Sequence, residues 1–198
     1  MVVTGKHSAK ASGALDDLTE VLRREKFPAL YTTGLRKPLL SSCEEAAALA
    51  AEKKAAFVVG IGGGSPLDAA KAIAALAANP GLDREGFSKK PGNPPLPIVL
   101  IGTTSGTGSE VSPTSVLTVD GVKKSVSGPE LYASLAIANP AYTGTMSYNT
   151  TVSTGLDAFC HAVEGYFSPA CDDITGYLAE KAMPMVYRGL KMMRLKWR

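Results

Sequence analysis

A run of glycines stands between an apolar segment and a helical pattern. The apolar segment 57–61 leads directly into the triple glycine 62–64, and Ser65 and Pro66 follow. Without a Cβ, glycines let a ligand approach the backbone and permit positive φ. The helix that follows would direct free N–H groups and partial positive charge toward them. The segment therefore favours a phosphate-binding turn, with a tight turn between ordinary helix caps as the alternative.

The residues after the glycines carry helix-start signals. Ser65 suits the N-cap, Pro66 suits the first helical position, and Asp68 completes a capping-box-like S-x-x-D pattern. The spacing matches neither G-x-G-x-x-G nor G-x-x-x-x-G-K-[ST], so neither the usual dinucleotide fingerprint nor a Walker loop applies.

A second loop, "TTSGTGSEVS" at 103–112, follows the next apolar segment and alternates hydroxyls with glycines. Its hydroxyl residues are Thr103, Thr104, Ser105, Thr107, Ser109 and Ser112. Ligands of open α/β sheets bind outside the carboxyl ends of the strands, where both loops would lie. Two such loops on successive strands favour a nucleotide site.

Asp157 and His161 stand four residues apart in "GLDAFCHAVE", on one face of a predicted helix. A carboxylate oxygen and an imidazole nitrogen at this spacing can bind one divalent metal ion. The alternative is an Asp–His hydrogen bond within the helix. His7 is the only other histidine in the sequence, so a three-histidine site is excluded.

The elements that position these loops alternate between strand-like and helix-like patterns. Strands are predicted at 1–3, 29–33, 57–61, 96–102 and 135–140, helices at 13–25, 41–54 and 66–78, and a hairpin with a DG turn at 115–127. Serines are expected to cap the helix that begins at 41. This order predicts an α/β fold with a mostly parallel sheet. The residues after Pro140 have a helical pattern, which Pro184 should kink or restart.

Composition limits the function classes. The 198 residues are 45% hydrophobic with a net charge of +3, which predicts a packed core and argues against a nucleic-acid partner. No apolar run reaches the ~18 residues of a membrane span, and the N-terminus lacks a signal-peptide pattern. Three cysteines without a CxxC pair indicate a reducing, cytoplasmic setting.

Three segments together, "GGGSPLDAAKAI", "GTTSGTGSEVSP" and "STGLDAFCHAVEGYFS", resemble the iron-containing (group III) alcohol dehydrogenase family. Within that family, the chain most resembles the propanediol and butanol dehydrogenase-like members. The resemblance extends from Val2 to about Leu190 and implies a dehydroquinate synthase-like fold. An α/β dinucleotide-binding domain would occupy 1–145, and 146–198 would begin a helical metal-binding domain. Family members are about twice as long, so the chain is expected to be truncated.

The resemblance assigns roles to individual residues. Gly63, Gly64 and Ser65 would hold the pyrophosphate, and Asp68 would support that turn. The residues that would line the cofactor are Thr103, Thr104, Thr107, Ser112 and, on the hairpin, Lys123 or failing that Lys124. Asp157 and His161 would be the first two ligands of a divalent metal, iron or zinc. The family's remaining metal ligands, and any catalytic proton donor, have no counterpart here.

The first loop bears on the choice of cofactor. Many family members have an acidic residue after the first strand, where it binds the adenosine ribose. Here Gly5 takes that position, and Lys6 and Ser8 follow. A cation and a hydroxyl would accept a 2′-phosphate that a carboxylate would repel, which predicts NADP, with NAD as the alternative.

The sequence therefore predicts a metal-dependent dehydrogenase that transfers hydride between a primary alcohol or aldehyde and NADP, impaired by truncation. The alternative is a non-catalytic nucleotide-binding fragment or a subunit of a longer homologue. A glycerol dehydrogenase or dehydroquinate synthase would share the broader fold, but the second loop favours the alcohol dehydrogenase branch. An uncovered apolar helical face predicts a homo-oligomer, most simply a dimer.

Overall fold

The computed structural model describes residues 1–34, 38–81 and 92–196. Seven strands are described: β1 Val2–Thr4, β2 Tyr31–Thr32, β3 Val58–Gly62, β4 Ile98–Gly102, β5 Thr114–Val119, β6 Val122–Ser127 and β7 Leu135–Ile137. Six α-helices are described: α1 Ser8–Ala11, α2 Ala14–Arg24, α3 Leu40–Glu52, α4 Gly64–Ala78, α5 Tyr148–Phe167 and α6 Asp173–Lys196. Short 3₁₀ turns cover Ser109–Val111, Pro129–Leu131 and Pro140–Thr143.

Five parallel strands form the main sheet in the order β2-β1-β3-β4-β7. In its centre Gly60 of β3 pairs with Val3 of β1 and with Leu100 of β4. Every residue of β3 is buried, as expected of a parallel strand covered on both faces. The predicted α/β class with a mostly parallel sheet is confirmed, and the short strand at 29–33 contracts to two residues.

β5 and β6 form the predicted antiparallel hairpin, in which Val119 pairs with Val122. Asp120 and Gly121 between them both have positive φ, 51° and 79°. Two successive positive φ values are the signature of a type I′ turn, which matches the right-handed twist of the flanking strands. The DG dipeptide thus sets the register of the hairpin.

Helix α4 packs between the sheet and the hairpin. It is apolar nearly all round, and its many alanines let the neighbouring elements approach closely. A Cβ added to Gly60 would lie 2.7 Å from the Ala70 Cβ, so the strand and the helix are in direct contact. Ile73 and Leu67 are fully or almost fully buried in the same core. This packing fixes the start of α4 at the carboxyl end of β3.

The predicted helix caps are wrong at two helices. α4 begins at Gly64 with Gly63 as its N-cap, so Ser65 lies in the first turn and Pro66 is the third helical residue. α3 begins at Leu40, so the predicted capping serines lie inside the helix. In both cases the helix begins before the serine that was predicted to cap it.

Pro184 does not restart the last helix. α6 runs from Asp173 to Lys196 through Pro184, so the helix continues across the proline. The proline removes one N–H donor from the helix, but long flanking segments and packing against α5 maintain it.

The described chain divides into two compact units. One contains Met1–Thr103 and Ser109–Thr145, and the other contains Thr104–Gly108 and Met146–Arg198. The second unit is built on the α5–α6 helix pair. Among the described residues, no helix combines the length and apolarity needed to cross a membrane.

Candidate nucleotide and metal sites

A pocket of about 270 Å³ opens at the carboxyl ends of β1 and β3. It is lined by Gly5, Lys6, His7, Ser8, Gly63, Gly64, Ser65 and Pro66. The parallel pairing of β1 with β3 brings the two loops together, because both strands end at the same edge of the sheet. The first loop and the glycine loop, 58 residues apart between Gly5 and Gly63, thus form one concave surface at the N-terminus of α4. His7 and Pro66 were not among the predicted site residues.

Gly62 closes the strand before this pocket and has no room for a side chain. Its φ is +150°, and a Cβ there would lie 2.8 Å from the Pro66 Cγ. Glycine is therefore required at this position by backbone conformation and by the proline that packs over it. The turn that results leaves Gly63, Gly64 and Ser65 half-buried at the pocket wall.

Thr103 follows β4 at the same edge of the sheet. Its backbone N–H donates to the Gly62 carbonyl oxygen at 2.8 Å, which ties the two strand ends together. Its residue exposure is 2%, and its Oγ1 is the buried side-chain polar atom without a hydrogen-bond partner among the described residues. Buried hydroxyls are nearly always paired, so an unpaired one marks a place for a polar ligand or water.

Asp68 and Lys71 form a buried polar network, and Lys71 was not among the predicted site residues. Lys71 is fully buried, and its Nζ donates to Ser109 Oγ at 3.1 Å, Ser112 Oγ at 3.4 Å and the Thr114 carbonyl oxygen at 2.7 Å. The Asp68 carboxylate lies 3.9 Å from the same Nζ. The available signal was a single lysine within the otherwise apolar stretch 69–78.

The predicted capping role of Asp68 is wrong. Its Oδ1 accepts from the Ser109 hydroxyl at 2.6 Å, and its Oδ2 accepts from the Val116 N–H at 3.2 Å. The Ser115 hydroxyl donates to the Asp68 carbonyl oxygen at 2.8 Å. The carboxylate therefore stabilises the segment that leads into β5 and does not cap the helix start.

Burial opposes both charges of this pair. Burial raises the pKa of the Asp68 carboxyl above its usual 3.8, while hydrogen bonds from Ser109 and Val116 and the charge of Lys71 partly offset the rise. Burial lowers the pKa of the Lys71 ammonium below its usual 10.5, and the charges of Asp68 and Glu110 oppose that shift. The charge of each residue thus offsets part of the burial penalty on the other.

The remaining predicted cofactor residues lie in three places. Ser112 accepts a hydrogen bond from Lys71 within the α/β unit. Thr104 and Thr107 belong to the helical unit with the rest of the segment Thr104–Gly108. Lys123 is exposed on β6, where it pairs with Thr118. The alternative, Lys124, pairs with the buried Leu117 and so belongs to the opposite face of the hairpin.

Asp157 and His161 lie on α5 with their side chains about half exposed. The His161 Nε2 and the Asp157 Oδ1 are 3.7 Å apart, which is too far for a hydrogen bond. Two ligands of a tetrahedral metal at about 2.1 Å would be about 3.4 Å apart, so small rotations would let both atoms bind one ion. Within the described residues, no cluster of three or more His, Cys, Asp or Glu side chains has metal-site geometry.

An open parallel sheet with a glycine-rich pocket at its carboxyl edge is the fold typical of nucleotide-binding proteins of the α/β class. A family model described as iron-containing alcohol dehydrogenase matches residues 1–140, and one for the C-terminal part of that family matches 151–196. The chain belongs to the iron-containing alcohol dehydrogenase family, which confirms the predicted resemblance.

Named relatives agree with this assignment. The chain is 39% identical to long-chain-alcohol dehydrogenase 1 of Geobacillus thermodenitrificans over 90% of its own length and 47% of that protein. It is 39% identical to sulfoacetaldehyde reductase of Bilophila wadsworthia over 79% of its length and 41% of that protein. The chain spans about half the length of the curated relatives it matches.

Solved structures show the same fold. The crystal structure of an iron-containing alcohol dehydrogenase from Thermotoga maritima superposes with a TM-score of 0.91 at 38% identity, covering 98% of this chain and 54% of that one. NADH-dependent butanol dehydrogenase A of the same organism gives a TM-score of 0.88 at 29% identity, covering 97% and 49%.

Proposed function

We propose that this chain carries the dinucleotide-binding part and the first metal ligands of an alcohol dehydrogenase that uses NADP. The reaction class is hydride transfer between a primary alcohol or aldehyde and the cofactor. The observation that carries the proposal is the pocket in which the first loop faces the glycine loop at the start of α4. The relatives act, by their names, on long-chain alcohols and on sulfoacetaldehyde, which are an alcohol and an aldehyde substrate of this reaction class.

The pocket residues fit a dinucleotide. Gly63, Gly64 and Ser65 present backbone N–H groups at the N-terminus of a 15-residue helix, where the pyrophosphate would be stabilised. The unpaired Thr103 hydroxyl at the neighbouring strand end would donate to or accept from the bound nucleotide. When bound, the nicotinamide ring would accept or supply the hydride.

The cofactor preference depends on the first loop. The Lys6 ammonium and the Ser8 hydroxyl both line the pocket, and Gly5 between them and β1 leaves that wall without an acidic group. A 2′-phosphate carries negative charge that a lysine stabilises and a carboxylate would repel. We therefore propose NADP over NAD as the preferred cofactor.

Asp157 and His161 would hold a divalent metal, iron or zinc, as two of its protein ligands. When bound, such an ion would polarise the alcohol oxygen and lower its pKa. With two protein ligands the ion would bind weakly, and the alcohol would be loosely oriented. We therefore expect little or no dehydrogenase activity from this chain alone. Turnover of a primary alcohol at rates usual for enzymes, after iron or zinc is added, would contradict this expectation.

A non-catalytic nucleotide-binding subunit is the second candidate. The observation that favours it is the incomplete ligand set, since the described residues contain no third metal ligand near the pair. The two candidates share the nucleotide pocket and differ in whether the Asp157–His161 pair binds metal. We also propose a reducing, cytoplasmic setting, which the free thiols of Cys43, Cys160 and Cys171 support.

The proposal is tested by titrating the purified chain with NADPH and with NADH while nucleotide fluorescence is recorded. Binding of NADPH at least tenfold tighter than NADH supports it. Gly5→Asp should reverse the preference, and Gly5→Asn is the matched control. Both substitutions meet the Pro66 Cγ at 3.3 Å, so their difference reports the charge alone. Equal preference in both variants would reject the cofactor assignment, and failure of wild type to bind either nucleotide would reject the site.

A further inference from the structure

We propose that Lys71, together with Asp68, is a positioning residue that fixes the segment 109–116 on helix α4 and does not itself bind the nucleotide. The inference rests on the proposed function, because it concerns the same nucleotide site. A lysine beside a nucleotide site would ordinarily be expected to contact a phosphate. The proposal instead gives this buried ion pair the role of holding a loop in place.

The geometry of Lys71 leaves no donor for a ligand. A lysine ammonium has three N–H bonds, and the three acceptors of Lys71 are Ser109 Oγ, Ser112 Oγ and the Thr114 carbonyl oxygen. The residue is 0% exposed. A phosphate could therefore reach this amine only after an existing hydrogen bond was broken and the core was opened.

The same pair ties the end of the second loop to α4. Six hydrogen bonds join residues 68 and 71 to the segment 109–116: three from the Lys71 ammonium, two to the Asp68 carboxylate and one to the Asp68 carbonyl oxygen. Ser109 is the central residue, because its hydroxyl accepts from Lys71 and donates to Asp68. α4 begins at the glycine loop, so one helix carries both the first phosphate-binding turn and the anchor of the second loop.

This arrangement sets where the second loop returns to the sheet. Thr103 is held at the β4 end by its bond to the Gly62 carbonyl oxygen, and Ser109 is held by the ion pair. The five residues Thr104–Gly108 are therefore joined at each end to a residue of the α/β unit, Thr103 and Ser109. Removing the anchor at Ser109 should leave Thr103 in place and displace Ser112. Nucleotide binding should then weaken, although no residue that contacts the nucleotide has been replaced.

The test compares NADPH and NADH affinity in wild type, Lys71→Met and the double variant Asp68→Asn with Lys71→Met. The double variant removes both buried charges, so it keeps the proposal testable if the single variant leaves Asp68 unpaired and does not fold. Ile73→Val is the control, because Ile73 is a fully buried residue of the same helix outside the network. Thermal melting establishes that each variant is folded at the temperature of the titration.

We expect both nucleotides to bind at least tenfold more weakly to the folded double variant, by equal factors, and Ile73→Val to bind as wild type does. The salt dependence of NADPH affinity should stay the same, because no charge that contacts the phosphates has been removed. A shallower salt dependence would show that Lys71 binds phosphate directly and would overturn the inference. Unchanged affinity in the folded variant would overturn it as well, while the proposed function would stand. If wild type binds neither nucleotide, the proposed function fails first and the inference fails with it.

Discussion

The Gly106 Cα faces the backbone of Thr154 so closely that a Cβ on Gly106 would lie 2.5 Å from the Thr154 carbonyl oxygen and 2.7 Å from the Thr154 Cβ. Both residues belong to the helical unit, in which the segment Thr104–Gly108 packs on α5. The glycine in the second loop is therefore needed for contact with a helix, in addition to any role near a ligand.

Gly106→Ala should destabilise the helical unit by about 1–3 kcal/mol, because the methyl group would meet backbone that cannot move aside. Urea unfolding followed by circular dichroism measures the change in the free energy of unfolding. Gly165→Ala is the control, since a Cβ at that position of α5 would meet no described atom within 4 Å beyond its chain neighbours and the nearby helix backbone. That variant should be stabilised by about 0.5–1 kcal/mol through helix propensity. Equal effects of the two substitutions would contradict the close contact.

Gly62→Ala should cost about 2–4 kcal/mol of unfolding free energy and abolish nucleotide binding. The added methyl group would be 2.8 Å from the Pro66 Cγ, and the φ of +150° is strained for alanine. Gly60→Ala, whose Cβ would meet Ala70 and Leu100, should cost stability through packing in the core. If both variants, still folded at low temperature, bind NADPH equally well, then the turn at Gly62 does not shape the site.

Lys6→Met should weaken NADPH binding at least tenfold and leave NADH binding within twofold of wild type. The expected reason is loss of a charge-assisted contact to the 2′-phosphate. Lys10→Met provides the control, because Lys10 is an exposed lysine on α1 that does not line the pocket. Isothermal calorimetry with both nucleotides measures the effect. Parallel loss of NADPH and NADH affinity would place the lysine at the pyrophosphate and would remove its role in cofactor choice.

The buried ammonium of Lys71 gives the protein a pH-dependent stability in the alkaline range. Its pKa lies below 10.5 in the folded protein, whereas the unfolded chain keeps the usual value. Between the folded pKa and 10.5 the unfolded chain binds more protons, so the free energy of unfolding rises with pH in that window. Lys71→Met should remove this rise, and Lys10→Met should retain it. Urea unfolding at several pH values below 10.5 checks the slope, and identical slopes in wild type and Lys71→Met would refute the assignment.

Asp157 and His161 on α5 should bind a divalent metal ion. Asp157→Asn with His161→Ala should abolish binding of Zn²⁺ or Fe²⁺ and leave NADPH affinity unchanged. Cys160→Ser is the control, because this exposed thiol is adjacent to His161 and offers an alternative ligand. Metal content after dialysis against dilute metal, measured by mass spectrometry, gives the result. Retention of metal by the double variant, with loss in Cys160→Ser, would assign the site to the thiol.

Local patterns predicted most of the α/β architecture. The apolar runs at 57–61 and 96–102 became β3 and β4 within two residues, because short continuous apolar segments that end at a glycine are typical of buried strands. The DG dipeptide gave the hairpin, since two positive φ values are required there. The resemblance to the family assigned Gly5, Lys6 and Ser8 to the cofactor, and the parallel pairing of β1 with β3 is what brings them beside the glycine loop.

The features that were missed depend on long-range contacts. Asp68 fits a capping pattern locally, but a carboxylate can satisfy a buried lysine and a remote N–H together, and that arrangement has more hydrogen bonds. Lys71 is unremarkable as a lysine in a helix until β5 and the turn at Ser109 cover it. Pro184 illustrates the opposite case, because tertiary contacts maintain a helix that local rules would interrupt.

The division of the chain at the second loop affects how relatives can be recombined. The polypeptide changes unit at 103/104, at 108/109 and at 145/146, so no single cut separates the two units. A chimera joined only near residue 146 would combine the loop of one parent with the α5 helix of the other. Gly106 and Thr154 would then come from different sequences although they are in direct contact. Successful domain exchange in this family should therefore transfer the five-residue loop together with the helices.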